Sequence, residues 1–218
     1  FKICYLIFIN ERWSTEMGGG VIYASPDGLC RVDQSGLSIL TAGLMSRDDW
    51  QSFKPESMVG AELDTRYFAF YDTGTEQGCL VFDFAGPTTF SRLSLYATAV
   101  FNDRQRDALY LAVGSNLVKF DYGSTNMTFT WKSKRFRMQQ PLNLGAAKLG
   151  ADTYPVTVNV YVGGSSTPKY SLAVSNENVF KLPAGFKSDK WEFEIVASDK
   201  VTYFVVADTS AGIKSVDL

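Results

Sequence analysis

Asp72-Thr73-Gly74 is the triplet in this chain that most resembles catalytic machinery. Aspartic proteases carry such a triplet on a loop after an apolar strand, and two of those loops face each other. Phe68 to Tyr71 supplies the strand, and retroviral-type enzymes build their site from one triplet per chain, so a single copy is compatible with that chemistry. Asp-x-Gly is also ordinary turn chemistry, because Asp bonds the backbone two residues on and Gly tolerates positive φ. The triplet falls where a hairpin must turn, and a turn is the expectation. A second candidate is basic: Lys132, Lys134, Arg135 and Arg137 follow Phe129 and Trp131. On a regular strand Lys132 and Lys134 share one face, Arg135 and Arg137 the other. Cations beside aromatics can track a nucleic-acid strand. They equally suit a solvated strand or contact with an acidic neighbouring subunit, and the four are expected to face protein or solvent. Carboxylate pairs could cleave glycosides. Asp33, Asp83 and Asp121, however, recur at equivalent places in repeated segments, which points to a shared job such as capping a turn. Tyr161 and Tyr170 could stack on sugar rings or pack between strands.

Much chemistry is excluded outright. The 218 residues contain no His, so no Ser-His-Asp or Cys-His site, His-ligated zinc or imidazole base can form. No Gly-Lys-Ser/Thr triplet exists for a P-loop, and Gly18-Gly19-Gly20 precedes a strand and not a helix. Cys4, Cys30 and Cys79 are too far apart for a zinc ribbon and odd in number for a disulfide framework; reduced, apolar packing is expected. The reading is a chain with no catalytic residue, cofactor or metal.

The elements that position these residues are strands. With 45% hydrophobic and 20% charged residues, the chain is neither disordered nor membrane-spanning. Its net charge of −2 divides into −5 over residues 1–100 and +3 over 101–218, in keeping with two modules. Ile3 to Ile9 is apolar but far short of the ~20 residues that cross a bilayer, so a buried strand and no membrane partner are expected. The chain begins at Phe1 and not Met, which implies processing or a fragment of something longer.

Three segments repeat. Val21-Ile22-Tyr23-Ala24 turns at Ser25-Pro26-Asp27-Gly28 and returns to Asp33. Tyr67 to Tyr71 returns through Leu80 to Asp83, and Leu109 to Val113 turns at Gly114-Ser115-Asn116 and returns to Asp121. Their starts lie 46 and 42 residues apart, the period of four-stranded propeller blades. Strands flanked by neighbouring blades on both faces read as continuous apolar runs, as these do. Three blades are fewer than a propeller usually closes with, so partners are expected. Between the first two repeats, Ser46-Arg47-Asp48-Asp49 spells a capping box, with Trp50 and Phe53 as the apolar face and Pro55 as the stop: a short helical insertion near 46–54. After Trp131 the pattern becomes period-two: Val156, Val158 and Val160; Trp191, Phe193 and Ile195; Val201, Tyr203 and Val205. One face of each strand is buried and the other solvated. The expected fold is all-β: a partial β-propeller of about three four-stranded blades over 1–126, then an antiparallel β-sandwich over 127–218.

Two stretches carry a family resemblance. One runs from Gly19-Gly20-Val21-Ile22-Tyr23-Ala24-Ser25-Pro26-Asp27-Gly28-Leu29 through Leu40-Thr41, Asp48-Asp49-Trp50 and Pro55 to Tyr67-Phe68-Ala69-Phe70-Tyr71. The other runs from Phe129-Thr130-Trp131-Lys132-Ser133-Lys134 through Pro141, Tyr154-Pro155-Val156 and Leu182-Pro183-Ala184-Gly185-Phe186 to Trp191-Glu192-Phe193-Glu194. Together they resemble the C-terminal part of a family of tailed-bacteriophage virion structural proteins. The family occurs in short-tailed phages and related prophages and is similar to tail-nozzle or tail-hub proteins. Residues 1–18 fit it poorly, and it carries no catalytic residues to transfer. The resemblance implies a ring homo-oligomer, such as a hexamer, that retains packaged DNA and guides its exit. Other tail proteins (adaptor, fibre or needle) would be neighbours, and DNA in the lumen a transient contact. The location it implies is the virion tail, assembled in the host cytoplasm. Two rivals stand beside it: a carbohydrate- or host-receptor-binding β module, and a propeller glycoside hydrolase.

Overall fold

The computed structural model describes residues 14–17 and 19–214. The run Ile3 to Ile9, with Cys4, lies outside the described residues. The chain is all-β and divides into two compact units, 1–122 and 123–218.

The first unit is an arc of three antiparallel sheets. The first is β1 (Ser14–Met17), β2 (Gly20–Ser25), β3 (Gly28–Asp33) and β4 (Gly36–Ile39), paired in chain order. The second is β5 (Val59–Leu63), β6 (Arg66–Asp72), β7 (Gln77–Asp83) and β8 (Thr89–Leu93). The third is β9 (Ala99–Asp103), β10 (Ala108–Val113) and β11 (Asn116–Lys119), one strand fewer than the repeat implies among the described residues. The reason is local. Asp121 takes a left-handed φ of 54°, and the stretch that follows, Gly123-Ser124-Thr125-Asn126, has no apolar alternation with which to make a strand.

The sheets stack as propeller blades. Tyr67, Phe68, Ala69, Phe70 and Tyr71 of β6 are each at most 1% exposed, because both faces of the central sheet are covered. One face shares a core with Ile22, Ala24 and Leu29. The other shares a core with Leu109 and Leu111. The first strands β1, β5 and β9 converge. Arg104, on the turn after β9, donates to the Glu16 carbonyl at 3.2 Å and reaches the Glu62 carboxylate at 3.5 Å, so one guanidinium touches all three blades. None of the sheets closes into a barrel. The first unit is a partial propeller.

Helix α1 (Arg47–Ser52) forms where the capping box places it. The Ser46 hydroxyl accepts from the Asp49 amide, and the Asp49 carboxylate accepts from the Ser46 amide. A 3-10 turn, Pro55–Ser57, follows in place of further helix. Trp50 is the anchor: it is 1% exposed, and its Nε1 donates to the Ser25 carbonyl at 2.7 Å. Phe53 meets Tyr71 edge-on at 5.0 Å.

The second unit is a sandwich. One sheet holds β12 (Phe129–Lys132) and β13 (Phe136–Leu142) end to end along β18 (Ser188–Ala197), then β15 (Val156–Val162) and β16 (Tyr170–Val174). The other is β17 (Phe180–Lys181), β14 (Ala146–Ala151) and β19 (Val201–Ala207), with α2 (Ser210–Lys214) against β14 and β19. Val156, Val158, Val160 and Trp191 are fully buried in a single core. On β19 the core side is Phe204 and Val206, while Tyr203 turns outward beneath Lys148.

Replacing Trp50 with Ala empties a large buried site and should lower stability by about 3–5 kcal/mol. Ser46→Ala should cost only about 1 kcal/mol. Urea unfolding followed by circular dichroism separates the two; equal small effects would mean that the helix is not docked as described.

Candidate functional site

The four cations read from the sequence sit on a broken edge strand. β12 pairs with β18 from Phe129 opposite Ala197 to Lys132 opposite Glu194, and pairing resumes at Phe136 opposite Trp191. Three residues, 133–135, therefore face two, 192 and 193: a bulge. The Ser133 amide donates to the Phe193 carbonyl at 2.7 Å, and its hydroxyl accepts from the Phe193 amide at 2.9 Å. Serine thus keeps the ladder satisfied across the break.

The bulge regroups the cations. Simple alternation would set Lys132 with Lys134 and Arg135 with Arg137. Instead Lys132 and Arg135 converge on Glu192: Lys132 Nζ lies 3.8 Å from Oε2, and Arg135 Nε bonds Oε1 at 2.5 Å. Arg135 also lies over Gly164 of the hairpin that follows β15, where a Cβ would sit 3.6 Å from its guanidinium carbon. Lys132 Nζ stands 3.6 Å from the centre of the Tyr161 ring. Alternation would turn Glu192 and Tyr161 to solvent, yet they are only 9% and 7% exposed. Glu194 accepts from Asn159 Nδ2 at 2.7 Å and from Tyr161 OH at 3.1 Å. Burial and the neighbouring carboxylates push the Tyr161 phenol above its usual pKa. Lys134 and Arg137 remain exposed; Lys134 lies 5.7 Å from the Phe136 ring centre, and Arg137 pairs in register with Lys190.

The other sequence candidates resolve into turns and packing. Asp72 accepts from the Gly74 amide at 2.7 Å and from Gln77 Nε2 at 2.8 Å. Those bonds hold its carboxyl below the usual value, and the triplet closes the β6–β7 hairpin. Asp33 accepts from the Ser35 amide and Asp83 from the Ala85 amide, each at 2.8 Å. Asp121 supplies a left-handed residue instead, while Asp103 accepts from the amides of Gln105 and Arg106 at 3.2 Å. Cys30 and Cys79 are buried, and the Cys30 sulfur lies 3.2 Å from the Ser25 hydroxyl. Tyr170 packs against Phe186 at 6.4 Å, and its buried hydroxyl finds no hydrogen-bond partner among the described residues.

Sequence reading missed the blade hub. A cleft of about 400 Å³ opens there, lined among others by Glu16, Glu62, Asp64, Asn102, Arg104 and Asp107. Four carboxylates against one guanidinium make it unattractive to a phosphate backbone. Among the described residues, no three His, Cys, Asp or Glu side chains are grouped to hold a metal ion. No helix among them is long and apolar enough to cross a membrane.

Fold and surface thus define a class: an arc of propeller blades followed by a β-sandwich whose cationic edge is partly committed to an internal carboxylate. No protein-family model matches the sequence, and comparison with curated proteins gives no match.

Glu192→Ala leaves two half-exposed cations without their carboxylate and should cost about 0.5–1 kcal/mol, whereas Glu192→Gln should lose less; urea unfolding measures both. Tyr170→Phe removes an unsatisfied hydroxyl and should leave stability equal or higher. Burial raises the Tyr170 pKa from 10.0 to about 12. Stability is therefore undiminished below pH 10 and falls as pH rises through about 12. Tyr170→Phe should show a shallower fall over that window, and an identical profile would contradict the burial of this phenol.

Proposed function

We propose that this chain is a non-enzymatic structural component of a bacteriophage tail, similar to nozzle or hub proteins. It associates with itself in a ring, such as a hexamer, beside adaptor, fibre or needle proteins. The ring retains packaged DNA and guides its exit, with DNA a transient contact in the lumen. The observation that carries this reading is the exposed apolar surface at both ends of the blade arc, with Leu37 at 53% and Phe101 at 63% exposure. Surfaces of that kind mark sites of protein association. The stretches that carry the family resemblance also lie on structural parts of the fold: the β2–β3 hairpin, the bulged edge and the central strand β18.

The mechanism is mechanical. Rigid sheets pack side by side, bury surface between subunits and leave a passage. A passage that releases DNA should not hold it tightly. Two of the four edge cations are engaged by Glu192, and the hub cleft is mostly acidic, both in keeping with weak contact. A carbohydrate- or receptor-binding role draws its support from Trp131, which is 51% exposed at the sandwich edge.

Electron microscopy of the purified protein should show rings, and antibody labelling should place them on virion tails. Particles bearing Lys134→Gln with Arg137→Gln should assemble and retain DNA at the normal level. Loss of DNA from otherwise intact particles would assign those two cations a holding role and overturn the weak-contact mechanism. Glycan-array binding abolished by Trp131→Ala would favour the carbohydrate reading instead.

A further inference from the structure

The repeat and its pairing assign equivalent positions in the three blades. Ile22 and Ala24 of β2 match Phe68 and Phe70 of β6, and Tyr110 and Ala112 of β10. On the next strand Leu29 stands opposite Ala24, Cys79 opposite Phe70 and Leu117 opposite Ala112. On the inner strand Ala61 stands opposite Phe68, and Phe101 opposite Tyr110. In the first blade this forward set, Ile22, Ala24 and Leu29, shares a core with Tyr67, Tyr71 and Phe82 of the second. In the second blade Ala61, Phe68, Phe70 and Cys79 share a core with Leu109 and Leu111 of the third. Each side chain of the two forward sets is at most 4% exposed. In the third blade the same positions are open. Phe101 and Leu117 are 63% and 74% exposed, and Tyr110 and Ala112 are only half-buried.

We propose that the forward face of the third blade seats a second copy of this chain, and that the contact is heterologous: the face meets a different surface of the next copy. The inference rests on the self-association proposed above and adds where the copies meet and with what polarity. Continuity argues for the occupant. The arc already makes this contact twice, at equivalent register positions, and each time an apolar sheet face of the same chain covers the forward set. The segment that follows the third blade does not supply another blade, because the next strand, β12, belongs to the sandwich. Lys119 does not spoil the seat. It stands at the outer end of the row that holds Phe101 and Tyr110, where the first blade has Arg31 opposite Ile22, and that junction closes all the same. Its ammonium lies over the Tyr122 ring, 4.8 Å from the centre. The polarity follows from the ring. A face that meets its own image closes a pair and stops, whereas a face that meets a different surface passes the contact on until the rotation closes.

The experiment is mass measurement by light scattering on the 218-residue chain, joined to cross-linking. The wild type should exceed twice the 24.2 kDa of one chain. Phe101→Glu with Leu117→Glu should run as a monomer with unchanged circular dichroism. Both side chains are already exposed, and Phe101→Ser with Leu117→Ser serves if the acidic variant folds poorly. Added to wild type, the variant should shorten the assemblies, because a wild-type forward face still seats the variant, which can seat nothing in turn. A benzophenone cross-linker placed at Leu117, in protein mixed with isotope-labelled wild type, should join two copies through a peptide outside residues 99–119. Cross-links confined to one copy, or made to residues 99–119 of another, would overturn the proposal. So would a wild type that stops at a dimer the variant cannot enter, since that is the face meeting its own image. Assemblies whose mass the variant leaves unchanged would overturn it too, while leaving the proposed ring standing. A wild-type monomer at every concentration would overturn both.

Discussion

A sheet that is apolar on both faces cannot stand alone, and the first unit depends on that constraint. Burying an apolar side chain is worth about 1.5–3 kcal/mol. The middle blade hides a run of five such positions, Tyr67 to Tyr71, at no more than 1% exposure. It can do so only because a sheet lies on either side. The same chemistry then applies to its neighbours, each of which covers one face with the middle blade and presents another. An arc of blades therefore carries its packing requirement to its two ends. The sandwich solves the problem differently. Its strands alternate, so Val156, Val158 and Val160 turn inward against the opposing sheet while the remaining face carries hydrogen-bonded polar groups such as Asn159 and Glu194.

The sequence made the parts that rest on local chemistry legible. Ser46 and Asp49 spell the capping box that forms, because a helix start is decided within four residues. The repeat of Val21, Tyr67 and Leu109 reappears in strands beginning at Gly20, Arg66 and Ala108, with the same separations of 46 and 42 residues. Asp72-Thr73-Gly74 closes a hairpin, as Asp-x-Gly does in general. What stayed hidden depends on pairing at a distance. The bulge at Ser133 moves Arg135 onto the side of Lys132, and only the register against β18 reveals it. Arg104 meets Glu16 across 88 positions of sequence, a contact that no periodicity encodes. That the third blade has three strands among the described residues was also hidden, because periodicity gives the spacing of repeats and not whether each one is complete.

Glu192 shows how a surface cluster acquires an interior. A carboxylate taken out of water is costly unless it is paired and hydrogen-bonded. Here one strand position brings the acid, the bulge brings Arg135, and Lys132 covers Tyr161 beside it. The cations that looked like a binding stripe in the sequence have an internal use, and only Lys134 and Arg137 are left wholly to the surroundings. Ion pairs at an exposed rim contribute little each, so the value of this group lies in satisfying Glu192 and not in the number of charges.

The way edges and faces are treated separates surfaces that avoid contact from surfaces that invite it. A free strand edge is a hazard, because its unpaired amides and carbonyls will pair with any other strand; bulges and positive charge on the edge prevent this. The sandwich edge has both, a bulge at 133–135 and four cations along it. The last strands of the second and third blades carry Arg92 and Lys119. On the broad face of the third blade Lys119 shares a row with Tyr110 and Phe101, but the rest of what projects there is largely apolar. Phe101 and Leu117 stand out from it, and Tyr110 lies flat beside Phe101 with ring centres 6.5 Å apart. A molecule that spends charge and a bulge on its edges, yet leaves aromatic and aliphatic side chains open on the end faces of its blades, is arranged for face-to-face stacking of sheets and against edge-to-edge pairing.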